Sequence, residues 1–234
     1  MNNQQTTIVL PTYNEAKNIG RLISALLKSY PGINVLVVDD GSKDSTLTVV
    51  RKIKRHYRNV DFIDRARMKL VRGLTNSVVD GIKQASTKYV IVMDADFQHP
   101  IDKIAEIKNA LDQGNKLAIG VRAKVPGWAF HRKVISKSLI YLAYVVLLLR
   151  NGTRSGDIFS GYFGTERKFF IDVEEKNKRS FVGEGYKVLF DLLKCIRNGS
   201  VRTCDIPYVF NVRSAGESKA SAKQVIALFK SFFS

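Results

Sequence analysis

The sequence predicts an α/β fold: a mostly parallel sheet flanked by helices. Three observations carry that prediction. Short apolar runs alternate with segments of helical periodicity through the first half of the chain, the pattern of βαβ units. The run from Tyr89 is unbroken rather than alternating, as in a strand buried on both faces. Three of the apolar runs end in polar clusters, Pro11-Thr12-Tyr13-Asn14-Glu15, Asp39-Asp40 and Asp94-Ala95-Asp96. In an open α/β sheet, ligands bind outside the carboxyl ends of the strands. All three clusters are therefore expected on one edge.

The elements follow in order. Thr6 to Leu10 is the first strand, broken by Pro11 and Asn14. Ile19, Leu22, Ile23, Leu26 and Leu27 recur at helical spacing until Pro31-Gly32 stops the helix. Val35 to Val38 is the second strand, running into Asp39-Asp40-Gly41-Ser42, and a helix spans about Ser45 to Arg55. Val60 to Ile63 is the third strand, Leu74 to Ala85 a helix, and the fourth strand starts at Tyr89. Asp102 to Gln113 reads as helix and Lys116 to Gly120 as strand. Beyond Gly120 the alternation fades. A basic loop, Val121 to Phe130, leads into a long helix, and a further helix spans Tyr186 to Arg197. No repeat or linker divides the 234 residues, a length suited to one domain with a full core. Within it, 1–120 reads as the ligand-binding half, 121–219 as a second half and 220–234 as an amphipathic C-terminal helix.

The balance of 38 Lys+Arg against 21 Asp+Glu gives +17, with +6 up to Gly120 and +11 beyond it. Such an excess implies a polyanionic partner: nucleic acid, anionic lipid headgroups or phosphorylated substrates. Two cysteines, Cys195 and Cys204, make no disulfide framework, which favours a reducing compartment. The N-terminus has no basic n-region or apolar h-region, so no signal peptide is expected. The longest apolar run, Leu139 to Leu149, has 11 residues, whereas a spanning helix needs about 20. Basic residues precede that run, which fits a core helix and equally a segment lying in a membrane interface. Lys219 to Ser234 repeats the pattern, with three lysines among apolar residues.

Asp94 and Asp96 follow the fourth strand, with Gln98 two residues on. Carboxylates are hard oxygen ligands, and Mg²⁺ or Mn²⁺ held by one or two of them also grips substrate phosphates. The plainer reading makes one of the pair a turn former. The same holds for Asp39 and Asp40, where one fits a turn before Gly41 and the other fits a hydrogen bond to a ribose or base edge. No Gly-x-Gly-x-x-Gly follows the first strand and no Gly-Lys-Ser/Thr occurs, which excludes the common dinucleotide and P-loop sites. His56, His99 and His131 have no zinc spacing, and His99 reads as a neighbour of the acidic loop rather than a ligand. No nucleophile elbow or Cys-His pair is present.

Together these segments resemble the inverting GT-A glycosyltransferases, specifically polyprenyl-phosphate glycosyltransferases of the dolichol-phosphate mannose synthase type. The resemblance rests on Pro11-Thr-Tyr-Asn-Glu15, Val-Val-Asp-Asp-Gly-Ser42, Met-Asp-Ala-Asp-Phe-Gln-His-Pro100 and Gly120-Val-Arg122. Arg132-Lys-Val-Ile-Ser136, Ser160-Gly-Tyr-Phe163 and Arg213-Ser-Ala-Gly-Glu-Ser-Lys219 extend it over nearly the whole chain. It implies a GT-A fold, Rossmann-like, with interfacial C-terminal helices. Pro11, Tyr13, Glu15, Val38 and Asp40 would hold the base and ribose of a nucleotide sugar. Asp94, Ala95 and Asp96 would line its diphosphate, with Asp96 and Gln98 on Mg²⁺ or Mn²⁺. Arg122, Arg213 and Lys219 would meet its phosphates, and Asp94, Asp96 and Arg122 would form the catalytic centre. Arg132 and Ser136 would hold the phosphate of the lipid acceptor. Where the family often has Pro-Thr before Ser-Gly, this chain has Asp157-Ile158-Phe159.

The reaction so implied moves a sugar, mannose from GDP-mannose, onto a polyprenyl (dolichyl) phosphate at the cytoplasmic membrane face. The protein would be cytoplasmic and peripherally membrane-associated, held by interfacial helices or by a membrane-anchoring partner. A phosphate acceptor is already an anion and needs no general base, which agrees with the lack of a convincing catalytic histidine. Rival readings are a UDP-glucose donor or another acceptor, and a basic nucleic-acid-binding module. The latter leaves the acidic pair unexplained, and no nucleic-acid motif is present, so no nucleic-acid partner is expected. An Asp-x-Asp phosphatase would carry its pair after the first strand, not the fourth.

Overall fold

The computed structural model describes residues 3–124, 130–182 and 187–211, leaving aside the side chains of 124 and 130–138. The strands are β1 (Thr6–Thr12), β2 (Asn34–Asp39), β3 (Val60–Asp64), β4 (Tyr89–Val92), β5 (Leu117–Lys124), β6 (Phe163–Glu166) and β7 (Thr203–Val209). The helices are α1 (Ala16–Ser29), α2 (Thr46–Lys54), α3 (Leu74–Gln84), α4 (Lys103–Asp112), α5 (Phe130–Leu149), α6 (Arg167–Lys176) and α7 (Val188–Cys195). The strand order is β3-β2-β1-β4-β6-β5-β7. All neighbours are parallel except β6, which runs antiparallel to both β4 and β5.

The run from Tyr89 is a strand covered on both faces, as its lack of alternation predicts. Every residue of β1 and of β4 is buried. Ile8, Leu10, Val35, Val37 and Ile91 point to a layer made by α1, α2 and α4, with Leu22, Val50 and Ile104 at its centre. Val9, Val38, Val90, Val92 and Phe163 point to the opposite layer, made by α3, α5, α6 and α7 with Ile82, Leu147, Phe170 and Leu189. The central antiparallel strand needs a small residue where α4 crosses it: a Cβ on Gly164 would lie 2.4 Å from Ile107 Cγ2.

The long helix expected around Leu139 to Leu149 is α5, and it packs into the core along one side. Ala143 and Leu147 are fully buried, while Tyr141 is 74% and Leu149 81% exposed. Among the described residues no helix is long and apolar enough to cross a membrane. Three elements beyond Gly120 were not expected: β6, α6 and β7. The C-terminal helix expected over 220–234 lies outside the described residues.

Candidate active site

β1, β2 and β4 are neighbours and parallel, so their three polar clusters open on one edge of the sheet. Pro11 and Val38 are cross-strand partners, as are Thr12 and Asp39. The side chain of Val38 is fully buried, so what it offers a ligand is backbone. Asp39 is the turn former of its pair. Its Oδ2 accepts from the Gly41 and Ser42 amides at 3.1 and 2.8 Å, and its Oδ1 accepts from the hydroxyls of Ser42 and Thr12. Asp40, the other candidate, accepts from the Gly73 amide at 3.0 Å and pairs with the buried guanidinium of Arg65.

The β1–α1 and β2–α2 loops are stitched into one wall. The Asn14 amide donates to Ser42 Oγ at 2.7 Å, and the Lys43 amide donates to Asn14 Oδ1 at 2.7 Å. The Glu15 amide donates to Thr46 Oγ1 at 2.9 Å, while the Glu15 carboxylate accepts from Asn18 Nδ2. Asn14 takes φ +55, a conformation asparagine tolerates. Tyr13 stands exposed above this wall.

The loop after β4 is tightly folded. Asp96 is buried, and its Oδ1 accepts from the Gln98 amide at 3.0 Å across Phe97, which has φ +65. Asp94 is 40% exposed at the same edge. His99 lies beneath it: its Nδ1 accepts from the Asp94 amide at 3.0 Å, which places the ring proton on Nε2, 3.7 Å from Asp94 Oδ2. The ring stacks on Tyr162 at 4.9 Å. Burial pushes the His99 pKa down to about 4, against the pull of Asp96, so it is neutral near pH 7. Gln98 is tied to the chain leaving β7: its carbonyl accepts from the Asn211 amide at 3.0 Å, and its Nε2 donates to Asn211 O at 3.3 Å.

The donor set of this loop fits a hard divalent cation. Two carboxylates and an amide oxygen stand within five residues, and carboxylate and amide oxygens are the ligands such a cation takes.

Arg122, on β5, faces this loop from across β6. Its Nε and Nη2 form a fork on Asp157, at 2.5 and 2.8 Å, and its backbone amide donates to the same carboxylate at 3.3 Å. Against the cost of burial, those bonds hold the guanidinium above its usual pKa. The strand can approach so closely because Gly120 lacks a Cβ, which would meet Tyr162 O at 3.0 Å. Lys187, just before α7, donates to Phe159 O at 3.2 Å, and its charge is coupled to Arg122, Asp157 and Asp94.

The structure thus brings together Pro11, Tyr13, Glu15, Val38, Asp40, Asp94, Ala95, Asp96, Gln98 and Arg122 on the two walls of one edge. The helix carrying Arg132 and Ser136 is present, but their side chains are not among those described, and Arg213 and Lys219 lie outside the described residues. Sequence reasoning missed Arg65, Asp157, Lys187 and Asn211. Only Asp157 left a signal, as the departure before Ser160-Gly161.

The comparisons with known proteins agree with this architecture. The model for glycosyl transferase family 2 matches residues 7–173. A dolichol-phosphate mannosyltransferase of Pyrococcus furiosus is 32% identical over 98% of this chain and 63% of its own length. The Saccharomyces cerevisiae dolichol-phosphate mannosyltransferase is 30% identical over 94% of this chain and 82% of its own. The chain therefore spans less than two thirds of the archaeal relative. A solved glucosyl-3-phosphoglycerate synthase from Mycobacterium tuberculosis, with Mn²⁺, UDP-glucose and phosphoglyceric acid, superposes with a TM-score of 0.64. It is 16% identical over 98% of this chain and 80% of the other, a likeness of fold.

Proposed function

This chain belongs to glycosyl transferase family 2, and on that premise we propose that it transfers mannose from GDP-mannose to a polyprenyl phosphate with inversion. The observation that carries the reading is the Asp94–Gln98 turn, whose neighbour His99 is already engaged. His99 Nδ1 accepts from the Asp94 amide and its Nε2–H faces the Asp94 carboxylate. It orients Asp94 rather than taking a proton from an acceptor. A phosphate nucleophile needs no such base. The relatives named above as dolichol-phosphate mannosyltransferases favour the same substrates.

In this reading the wall of Pro11, Tyr13, Glu15, Val38 and Asp40 holds the nucleoside. Asp94, Ala95 and Asp96 line the diphosphate, and Arg122, Arg213 and Lys219 meet its phosphates. Asp96 and Gln98 hold Mg²⁺ or Mn²⁺, which when bound neutralises charge on the leaving diphosphate. Arg132 and Ser136 take the acceptor phosphate. The exposed apolar side of α5, with Tyr141, Leu148 and Leu149, sits in the membrane interface beside the lipid.

The test is a panel of radiolabelled nucleotide sugars with a short-chain polyprenyl phosphate and Mg²⁺ or Mn²⁺. GDP-mannose is the expected donor. UDP-glucose as sole donor overturns the sugar assignment. Asp96→Ala abolishes transfer and leaves the fold intact, whereas full activity in that variant with metal chelated contradicts the reading.

A further inference from the structure

Arg72 lies near the end of the β3–α3 connection, and two contacts place it beside Asp40 at the ligand edge. Its chain neighbour Gly73 donates its amide to Asp40 Oδ2 at 3.0 Å. Its guanidinium lies over Gly41, the residue after Asp40: a Cβ on Gly41 would meet Arg72 Nη2 at 2.9 Å and Cζ at 3.4 Å. Gly41 has φ +87, so glycine there serves both the turn and the close approach. Arg65 carries the ion pairs to Asp40 and Asp80. Arg72 is exposed, and among the described residues its guanidinium has no hydrogen-bond or ion-pair partner.

Asp40 and Arg72 thus offer opposite chemistry at one place. The Asp40 carboxylate, 19% exposed, only accepts, and Arg65 and Gly73 occupy two of its roughly four lone-pair sites. The guanidinium only donates, and it does so through a planar fork. Along one side of its rings guanine presents the N–H groups of N2 and N1, then the acceptors O6 and N7. A guanidinium reads O6 and N7 with two bonds. Uracil has a carbonyl oxygen and then a C–H in those places, so the fork finds one acceptor.

We propose that Arg72 is a base-specificity residue of the donor site, giving its fork to O6 and N7 of a guanine whose N–H edge faces Asp40. The proposal rests on the glycosyl-transfer reading of the site and deepens its choice of GDP over UDP. An arginine held here only to pack on the turn after β2 would be indifferent to the base. One drawn to the diphosphate would favour GDP and UDP alike.

Calorimetric titration of wild type and Arg72→Met with GDP, 7-deaza-GDP and UDP, each with Mg²⁺ present, separates these roles. The side chain is exposed, so the variant is expected to melt with the wild type. A bidentate contact to a base is worth about ten- to hundredfold in affinity. Arg72→Met is expected to lose that much for GDP and little for UDP. 7-Deaza-GDP carries a C–H in place of N7. It is expected to bind wild type about tenfold more weakly than GDP does, and to bind Arg72→Met as well as GDP does. Undiminished GDP binding by Arg72→Met, an equal loss for GDP and UDP, or a 7-deaza penalty that persists in the variant overturns the proposal. A wild-type protein that prefers UDP to GDP overturns the donor assignment and the proposal together. A wild-type protein that binds GDP as expected but transfers no sugar overturns the functional reading and leaves the base contact standing.

Discussion

His99 is buried, stacked on Tyr162 and hydrogen-bonded as a neutral ring. Its pKa of about 4 lies below the ordinary histidine value of about 6.5. The unfolded chain therefore takes up a proton between those values while the folded protein does not. Stability is full above pH 6.5 and falls as the pH drops toward 4, by an amount on the order of 3 kcal/mol. Urea unfolding of the metal-free protein across that range should show the loss, and His99→Gln should remove most of the slope. A wild-type slope equal to that of the variant would mean that His99 is not held neutral. At the same scale, Asp96→Asn keeps an acceptor for the Gln98 amide but loses the charge. It is expected to keep wild-type melting behaviour and to lose transfer by about a hundredfold or more. The residue scale is also where sequence was least informative about partners. Asp39 and Asp40 could not be told apart until the Gly41 and Ser42 amides were seen to converge on Asp39.

At the scale of elements, the β3–α3 connection supports Asp40 through one buried side chain. Arg65 bonds Asp40, Asp80 at 2.9 Å, Ser77 Oγ at 3.1 Å and the Val71 carbonyl. Removing the guanidinium takes a charged hydrogen-bond partner from two partly exposed carboxylates, a loss of about 1.5–3 kcal/mol. Arg65→Met should therefore lower the denaturation midpoint and weaken nucleotide binding, while Arg67→Met, in the same loop, should do neither. Nothing in the sequence separates Arg65 from the neighbouring Arg67, Lys69 and Arg72, because what sets it apart is the turn of the chain after β3. Of the legible strands, β1, β2 and β4 are buried on both faces, while β3 is a partly exposed edge strand. β7 was not legible: Pro207 interrupts it, and only Asp205–Val209 alternates exposed with buried, in an edge strand, a place where a sheet accepts proline. β6 has four residues, with Gly164 and Thr165 at its centre, too short and too small to register as an apolar run. Both lie beyond Gly120, and β7 leads to Asn211, which ties the chain to the Asp94–Gln98 loop.

At the scale of the whole molecule, a charge of +17 and an exposed apolar side of α5 meet in one protein. Their combination predicts flotation with anionic vesicles at low salt and release as the Debye length shrinks to about 3 Å near 1 M salt. A DNA shift at matched salt should be the weaker response, and a stronger one would revive the nucleic-acid reading. The parallel half of the fold and its ligand edge were legible because strand direction alone carries three polar clusters to one side. The half beyond Gly120 was not, because its contacts, Arg122 with Asp157 and Asn211 with Gln98, join residues far apart in the chain. The most direct measurement of the central claim is mannose transfer from labelled GDP-mannose to an organic-soluble product. It should be run with polyprenyl phosphate and, in parallel, with the corresponding polyprenol. An acceptor that is already ionised needs no base, and His99 is engaged elsewhere. The account therefore predicts labelled product with the phosphate and none with the alcohol. Equal transfer to the alcohol, or none to either, would contradict it.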